Sequence, residues 1–205
     1  MKQRKLILAS GSPRREALLA DLGVEFEVRP SDLPEAWPDG PPKNAVESLA
    51  LAKAQNVARR LSIGVVLGAD TAVILGDEVF GKPRDRDDAR RMLQALRGRV
   101  HEVITGVALV DAETLREAVA SVVTRVTMRQ YDDAEIAAYI ASGEPFDKAG
   151  AYAVQGRGGA LVDGVDGCYT NVVGLPMTTT RRLLDSWGFG SQMSDFGSRN
   201  RPTGI

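Results

Sequence analysis

Two serines flanking a glycine, then a proline and two adjacent arginines, stand where an apolar run ends: "LILASGSPRREALL", Leu6 to Leu19. Leu6 to Ala9 read as a buried strand. Ser12 is the expected N-cap of the following helix and Pro13 its first position. The unpaired backbone N–H groups of a helix start, and the dipole behind them, favour a negative charge. Gly11 lets that charge approach the backbone closely. Arg14 and Arg15 in a first turn oppose the dipole unless an anion is bound, and their guanidinium forks match phosphate oxygens in pairs. Ser10 and Ser12 add hydroxyl donors. A plain capped helix with two solvated arginines has the same spacing, and spacing alone leaves both readings open.

A second cluster is "LGADTAVILGDEVFGKP". Asp70 interrupts an apolar run expected to be an interior strand, where a carboxylate is costly without a cation or a hydrogen-bond network. It reads either as a working carboxylate or as a structural one. Lys82 lies between Gly81 and Pro83 on a tight turn, projecting into a cleft or simply into solvent. Carboxylates without accompanying histidines suit a hard cation such as Mg²⁺ or Mn²⁺; Asp70 with a loop acid, Asp32 or Glu35, has that chemistry. His101 is the single histidine, which excludes a histidine-built metal centre, and it reads as a packed core residue. The single cysteine, Cys168, excludes an intrachain disulfide and reads as inert.

The 205 residues suggest one domain or two closely fused lobes. Twenty-six basic residues against 27 acidic ones argue against a general nucleic-acid binder, while leaving room for a small anion held by a few local cations. No apolar window approaches a membrane span, and the apolar stretch near the amino terminus is too short for a signal peptide, so a cytoplasmic protein is expected.

The elements that must position these clusters follow from periodicity. Helices are expected at Pro13 to Leu22, Asn44 to Leu61, Asp85 to Leu96, Asp132 to Ala141 and Pro176 to Trp187. Val24 to Val28 alternate as a strand, and "GVVLGADTAVIL" reads as a strand buried on both faces, with a hairpin turn at Gly76-Asp77. "VHEVITGVALV" and "EAVASVVTRVTMR" flank Asp111 to Thr114 as an antiparallel pair. Residues 143–176 are glycine-dense and read as loops and short strands. The expected architecture is mixed α/β, a mixed central sheet flanked by helices, with two lobes and a cleft between them across residues 1–188. The aperiodic tail, 189–205, is expected to be disordered.

Placed together, "LASGSPRREALL", "LALAKA", "GADTAV", "GKP", "TGV", "GEPFDKAGAYAVQG" and "NVVGLP" resemble the Maf family of nucleoside triphosphate pyrophosphatases. The pieces occur in the family's order and cover nearly all of Leu6 to Trp187. The resemblance implies metal-assisted hydrolysis of a nucleoside triphosphate to the monophosphate and pyrophosphate, by an ITPase-like α/β protein that is often a homodimer. It implies that Asp70 is the catalytic acid/base, that Ser10, Arg14, Arg15, Lys53 and Lys82 bind the substrate, and that Glu35 joins Asp70 at a divalent metal. The subgroup with these segments favours dTTP and UTP, and Arg14, Thr71 and Gln155 match positions associated with that choice. The Gln155 amide can both donate to and accept from a pyrimidine edge; as a plain residue it reads equally as a turn component. Three alternatives stand beside this reading: 7-methyl-GTP as the substrate, a nucleotidyltransferase, and a nucleotide-binding regulator of septum formation.

Overall fold

The computed structural model describes residues 4–33 and 36–193. Their strands form one seven-stranded sheet. In chain order they are β1 (Leu6–Leu8), β2 (Phe26–Val28), β3 (Val65–Leu75), β4 (Glu78–Phe80), β5 (Val100–Asp111), β6 (Glu117–Met128) and β7 (Val162–Asp166). The spatial order is β2-β1-β3-β5-β6-β7, with β4 also on β3. β1 runs parallel to β2 and β3, and every other pairing is antiparallel. The mixed sheet expected from the sequence is present.

Six α-helices of the described residues pack on it: α1 (Pro13–Ala20), α2 (Pro42–Ala58), α3 (Arg86–Leu96), α4 (Asp133–Ala141), α5 (Tyr169–Val173) and α6 (Met177–Ser186). β3 is apolar on both faces because both are covered. On one face, Val66, Ala72 and Ile74 meet Val46, Ala50 and Ala54 of α2. That helix comes close because the sheet beneath it has no side chain at two points. A Cβ on Gly68 would stand 2.2 Å from the Ala50 carbonyl oxygen, and one on Gly106 would stand 2.4 Å from that of Val46.

The opposite face carries two separate cores, one at each end of the long strands. Val65, Leu67, Ala69, Val107 and Leu109 pack with Leu19, Leu184 and Phe189 at one end. Val73, Val103, Val126 and Met128 pack with Leu93, Leu96, Ile136 and Ile140 at the other. Thr71 and Thr105 pair in register between the two cores. One continuous sheet carries both cores, so the division into two lobes expected from the sequence is not drawn by the sheet.

Two sequence expectations change. Residues 143–176 contain α5 and three 3₁₀ turns (Glu144–Asp147, Ala149–Ala151 and Gly156–Leu161) as well as β7. The chain also stays ordered past Gly188: Phe189 is fully buried, and Gly190–Gln192 form a further 3₁₀ turn. Residues 194–205 of the expected disordered tail lie outside the described residues.

Candidate active site

β3 is paired with β5 along nearly its whole length, but its other edge is shared. β1 covers Val65 to Leu67 and β4 covers Val73 to Leu75. Between them Gly68 to Ala72 have no strand neighbour on that side among the described residues, which leaves a notch in the sheet. The sequence places Asp70 and Thr71 at that notch. Because side chains alternate along a strand, Asp70 points to the α2 face and Thr71 to the other.

Asp70 Oδ1 accepts a 2.6 Å hydrogen bond from Lys53 Nζ of α2. Both side chains are only slightly exposed, at 13% and 11%. The ammonium offsets the cost of holding a carboxylate this deep, and little water screens the pair. The sequence left Asp70 open between a working and a structural carboxylate; the geometry makes it a paired carboxylate facing a cavity.

Thr71 sits under α1. Arg15 reaches back from the first turn of α1 and donates to Thr71 Oγ1 at 2.9 Å, the Ala69 carbonyl at 2.9 Å, the Gly174 carbonyl at 2.8 Å and Ser10 Oγ at 3.3 Å. The Ala69 carbonyl is available because no strand pairs there, and the guanidinium satisfies it. At least four of the five Arg15 donors thus hold protein acceptors. Its role in this structure is to fasten the α1 start to the notch. Ser12 is the N-cap residue, but its side chain makes no capping bond; instead its N–H donates to Ser10 Oγ at 3.2 Å. Ser10 is buried and organises the turn as well as lining the cavity.

Arg14 faces the other way. Its guanidinium donates to Asp147 Oδ2 at 2.9 Å and to the Asp147 carbonyl at 3.5 Å, bridging α1 to the Glu144–Asp147 turn. Lys148 Nζ donates to the other Asp147 oxygen at 2.5 Å. Burial opposes ionisation of Asp147, but the Lys148 hydrogen bond and the Arg14 charge together carry its carboxyl below the usual range. Sequence reasoning missed Asp147 and Lys148, although both lie in the quoted "FDKAG" run. Glu144 was missed too. Its carboxylate accepts from the Gly158 N–H at 3.1 Å and the Arg157 N–H at 3.2 Å, anchoring the glycine-rich turn beside Gln155.

These groups surround one cavity of about 980 Å³, at the upper end of the range that holds small-molecule ligands. Its lining brings together Ser10, Arg14, Arg15, Lys53, Asp70, Thr71, Lys82 and Gln155, from segments far apart in the chain. Asp32 is not among them; it is exposed and paired with Arg60. Glu35 lies outside the described residues. His101 is a core residue as expected: buried, with Nε2 2.7 Å from the Tyr152 hydroxyl.

Among the described residues no group of three or more His, Cys, Asp or Glu side chains is arranged to hold a metal ion. A hard cation that arrives with a polyphosphate needs only one or two carboxylates, the rest of its shell being water and phosphate. The carboxylate of Asp70 in the cavity wall suits that mode and does not suit a dedicated protein cage.

Fold and site together define an α/β protein with a cation-lined, carboxylate-bearing cleft of nucleotide size. The chain belongs to the Maf family: the family's pattern, described as Maf-like protein, matches residues 5–187. It is 53% identical to a protein of Anaeromyxobacter dehalogenans over 188 residues, covering 90% of this chain and 95% of that one. It is 51% identical to a protein of Gloeobacter violaceus over 181 residues, covering 88% and 94%. Both relatives are named dTTP/UTP pyrophosphatase. A crystal structure of a nucleoside-triphosphatase / dITP/XTP pyrophosphatase from Mycobacterium abscessus overlaps 62% of this chain and 75% of its own at 18% identity and a TM-score of 0.41, too loose a likeness to bear on this chain. Among the described residues no helix is long and apolar enough to cross a membrane.

Proposed function

We propose that this protein hydrolyses dTTP and UTP to the monophosphate and pyrophosphate. The observation that carries the reading is the Lys53–Asp70 pair set in the wall of a cavity that Arg14 and Lys82 also line. A triphosphate brings about four negative charges, and the surrounding cations meet them where water is partly excluded. The names of the relatives supply the choice of pyrimidine triphosphates.

In this mechanism the Asp70 carboxylate orients a water and accepts its proton as the oxygen attacks the α-phosphorus. Lys53 holds that carboxylate in place and lowers the cost of burying it. The bond from the α-phosphorus to the bridging oxygen breaks, and pyrophosphate leaves with its developing charge facing Lys82 and the α1 start. A divalent cation bound with the phosphates, with Asp70 and Glu35 as its protein ligands, would supply further charge for that leaving group.

The test is hydrolysis of UTP in ¹⁸O-labelled water. The expected products are UMP carrying the label and unlabelled pyrophosphate. Release of UDP with orthophosphate, or label in pyrophosphate, overturns the proposal. Absence of turnover without an acceptor points to the transferase or to the non-catalytic regulator.

A further inference from the structure

The hydrogen-bond ladder on the free side of β3 does not end where β1 ends. The Leu67 carbonyl accepts from the Ala9 N–H, just past β1, at 2.8 Å. Carbonyls two residues apart on a strand face the same side, so the next one to need a donor is that of Ala69. Arg15 Nη1 supplies it at 2.9 Å, in the place where a neighbouring strand would set a backbone N–H. Nη2 of the same guanidinium donates to Thr71 Oγ1 at 2.9 Å, and Nε anchors the group to the Gly174 carbonyl at 2.8 Å. One planar fork therefore holds residues 69 and 71, the two neighbours of Asp70. On the other edge Asp70 is in register with Gly106 of β5.

Diverting this guanidinium is costly. Ala69 and Gly174 are buried. A phosphate that drew Arg15 away would leave two buried carbonyls without their donors, each loss comparable to a broken hydrogen bond. Arg14 differs, because its partner Asp147 is 62% exposed and can return to water. The two adjacent arginines are thus unequal as anion ligands. Lys53 grips the Asp70 carboxylate from α2; Arg15 grips the backbone from which that carboxylate projects.

We propose that Arg15 is a positioning residue that stands in for the missing strand, fixes the chain on both sides of Asp70 and so holds the carboxylate on the attacking water, without contacting the phosphates. This departs from the substrate-binding role that the family resemblance implies for Arg15. The inference rests on the reading above, in which Asp70 accepts the proton, and adds the group that keeps Asp70 in place where the sheet does not.

Two variants separate charge from geometry. Arg15→Gln removes the charge; Arg15→Lys keeps it but presents a single nitrogen, which cannot span Ala69 and Thr71. Both are expected to lower kcat for UTP at least about tenfold, with KM and the pyrophosphate affinity measured by titration calorimetry little changed. In an Asp70→Asn background the same changes are expected to cost less than about twofold, because the group they act through is already gone. A general loss of structure would instead lower the rate equally in both backgrounds. Should neither variant fold, the wild type decides: on addition of pyrophosphate the assigned Arg15 Nε–H signal of the ¹⁵N-labelled protein stays in place while that of Arg14 moves. The proposal is overturned by a pyrophosphate affinity that falls about tenfold or more in Arg15→Gln and recovers in Arg15→Lys, or by an Arg15→Lys enzyme with wild-type kcat. Equal losses in the two backgrounds overturn it as well, as does an Arg15 signal that moves as far as that of Arg14. Failure of the underlying reading looks different: Asp70→Asn then keeps wild-type turnover, or the wild type does not hydrolyse UTP.

Discussion

Lys53 and Asp70 stand 2.6 Å apart on two different elements, and what brings them together is a strip of missing side chains between α2 and the sheet. Lys53 lies on the same α2 surface as Val46, Ala50 and Ala54, which pack on the strands carrying Gly68 and Gly106. The Lys53–Asp70 pair is thus set by backbone packing.

Asp70→Asn keeps an oxygen for Lys53 but no longer accepts a proton. We expect kcat for UTP to fall by about 10²-fold or more, with the folded state retained by circular dichroism. Lys53→Met leaves the carboxylate without its cation in a poorly hydrated wall, and it is expected to lower stability more than Asp70→Asn does. An Asp70→Asn enzyme within a few-fold of wild-type kcat removes Asp70 from the mechanism.

Gly106→Ala tests the packing. The added methyl group meets the Val46 carbonyl and the Glu47 N–H, backbone atoms that move only if α2 moves. Overpacking of this kind costs about 1–3 kcal/mol, and here it also draws Lys53 off Asp70, so the melting temperature and kcat should fall together. Gly164→Ala, with nothing within 4 Å of the new Cβ, is the control and should change neither by much. Matching melting curves for the two variants would show that α2 does not depend on this close approach.

Arg14 is held by Asp147, and the two are 27% and 62% exposed. Such a pair contributes about 0–1 kcal/mol, so Asp147→Asn should leave the melting temperature nearly unchanged. It also deletes a negative charge from the cavity rim and releases a guanidinium fork. Pyrophosphate measured by titration calorimetry should bind several-fold more tightly and with a steeper salt dependence. Unchanged or weaker binding means Arg14 is not withheld from anions by its partner.

The sheet, the long helices, the α1 start and Asp70 could be read from the sequence because each has a local signature: period, turn glycines, a carboxylate in an apolar run. Lys53 and Thr71 entered only through the family resemblance, and Asp147 and Lys148 of the cavity wall were missed. The division of labour between Arg14 and Arg15 could not. Successive helix positions point about 100° apart, and only the tertiary neighbours decide that Arg15 closes the notch while Arg14 meets Asp147. α5 was hidden by its length, since five residues show no period. The ordered chain end did have a signal. Gly188 has a positive φ of 86°, and the Phe189 N–H bonds the Leu184 carbonyl at 3.1 Å, so "WGF" closes α6 with a hydrophobic cap. That pattern ties Phe189 to the core, whereas the lack of periodicity assigned it to the tail.

His101 gives the last prediction, and its sign is fixed by burial. The ring is 2% exposed, and desolvation pushes its pKa from 6.5 down to about 4. In the unfolded chain the ring protonates as pH falls below 6.5; in the folded chain it stays neutral until about 4. Stability associated with this residue is therefore complete above pH 6.5, declines between the two values and levels off below 4, a loss on the order of 3 kcal/mol. The lowered carboxyls of Asp88 and Asp111 begin from ordinary values near 3.8, so they contribute below most of this window. His101→Gln can keep a partner for the Tyr152 hydroxyl without a group that titrates. It should be less stable than wild type at pH 7.5, yet lose less between pH 6.5 and 4.5, as read from urea midpoints at each pH. Parallel pH profiles for the two proteins would place the acid sensitivity elsewhere.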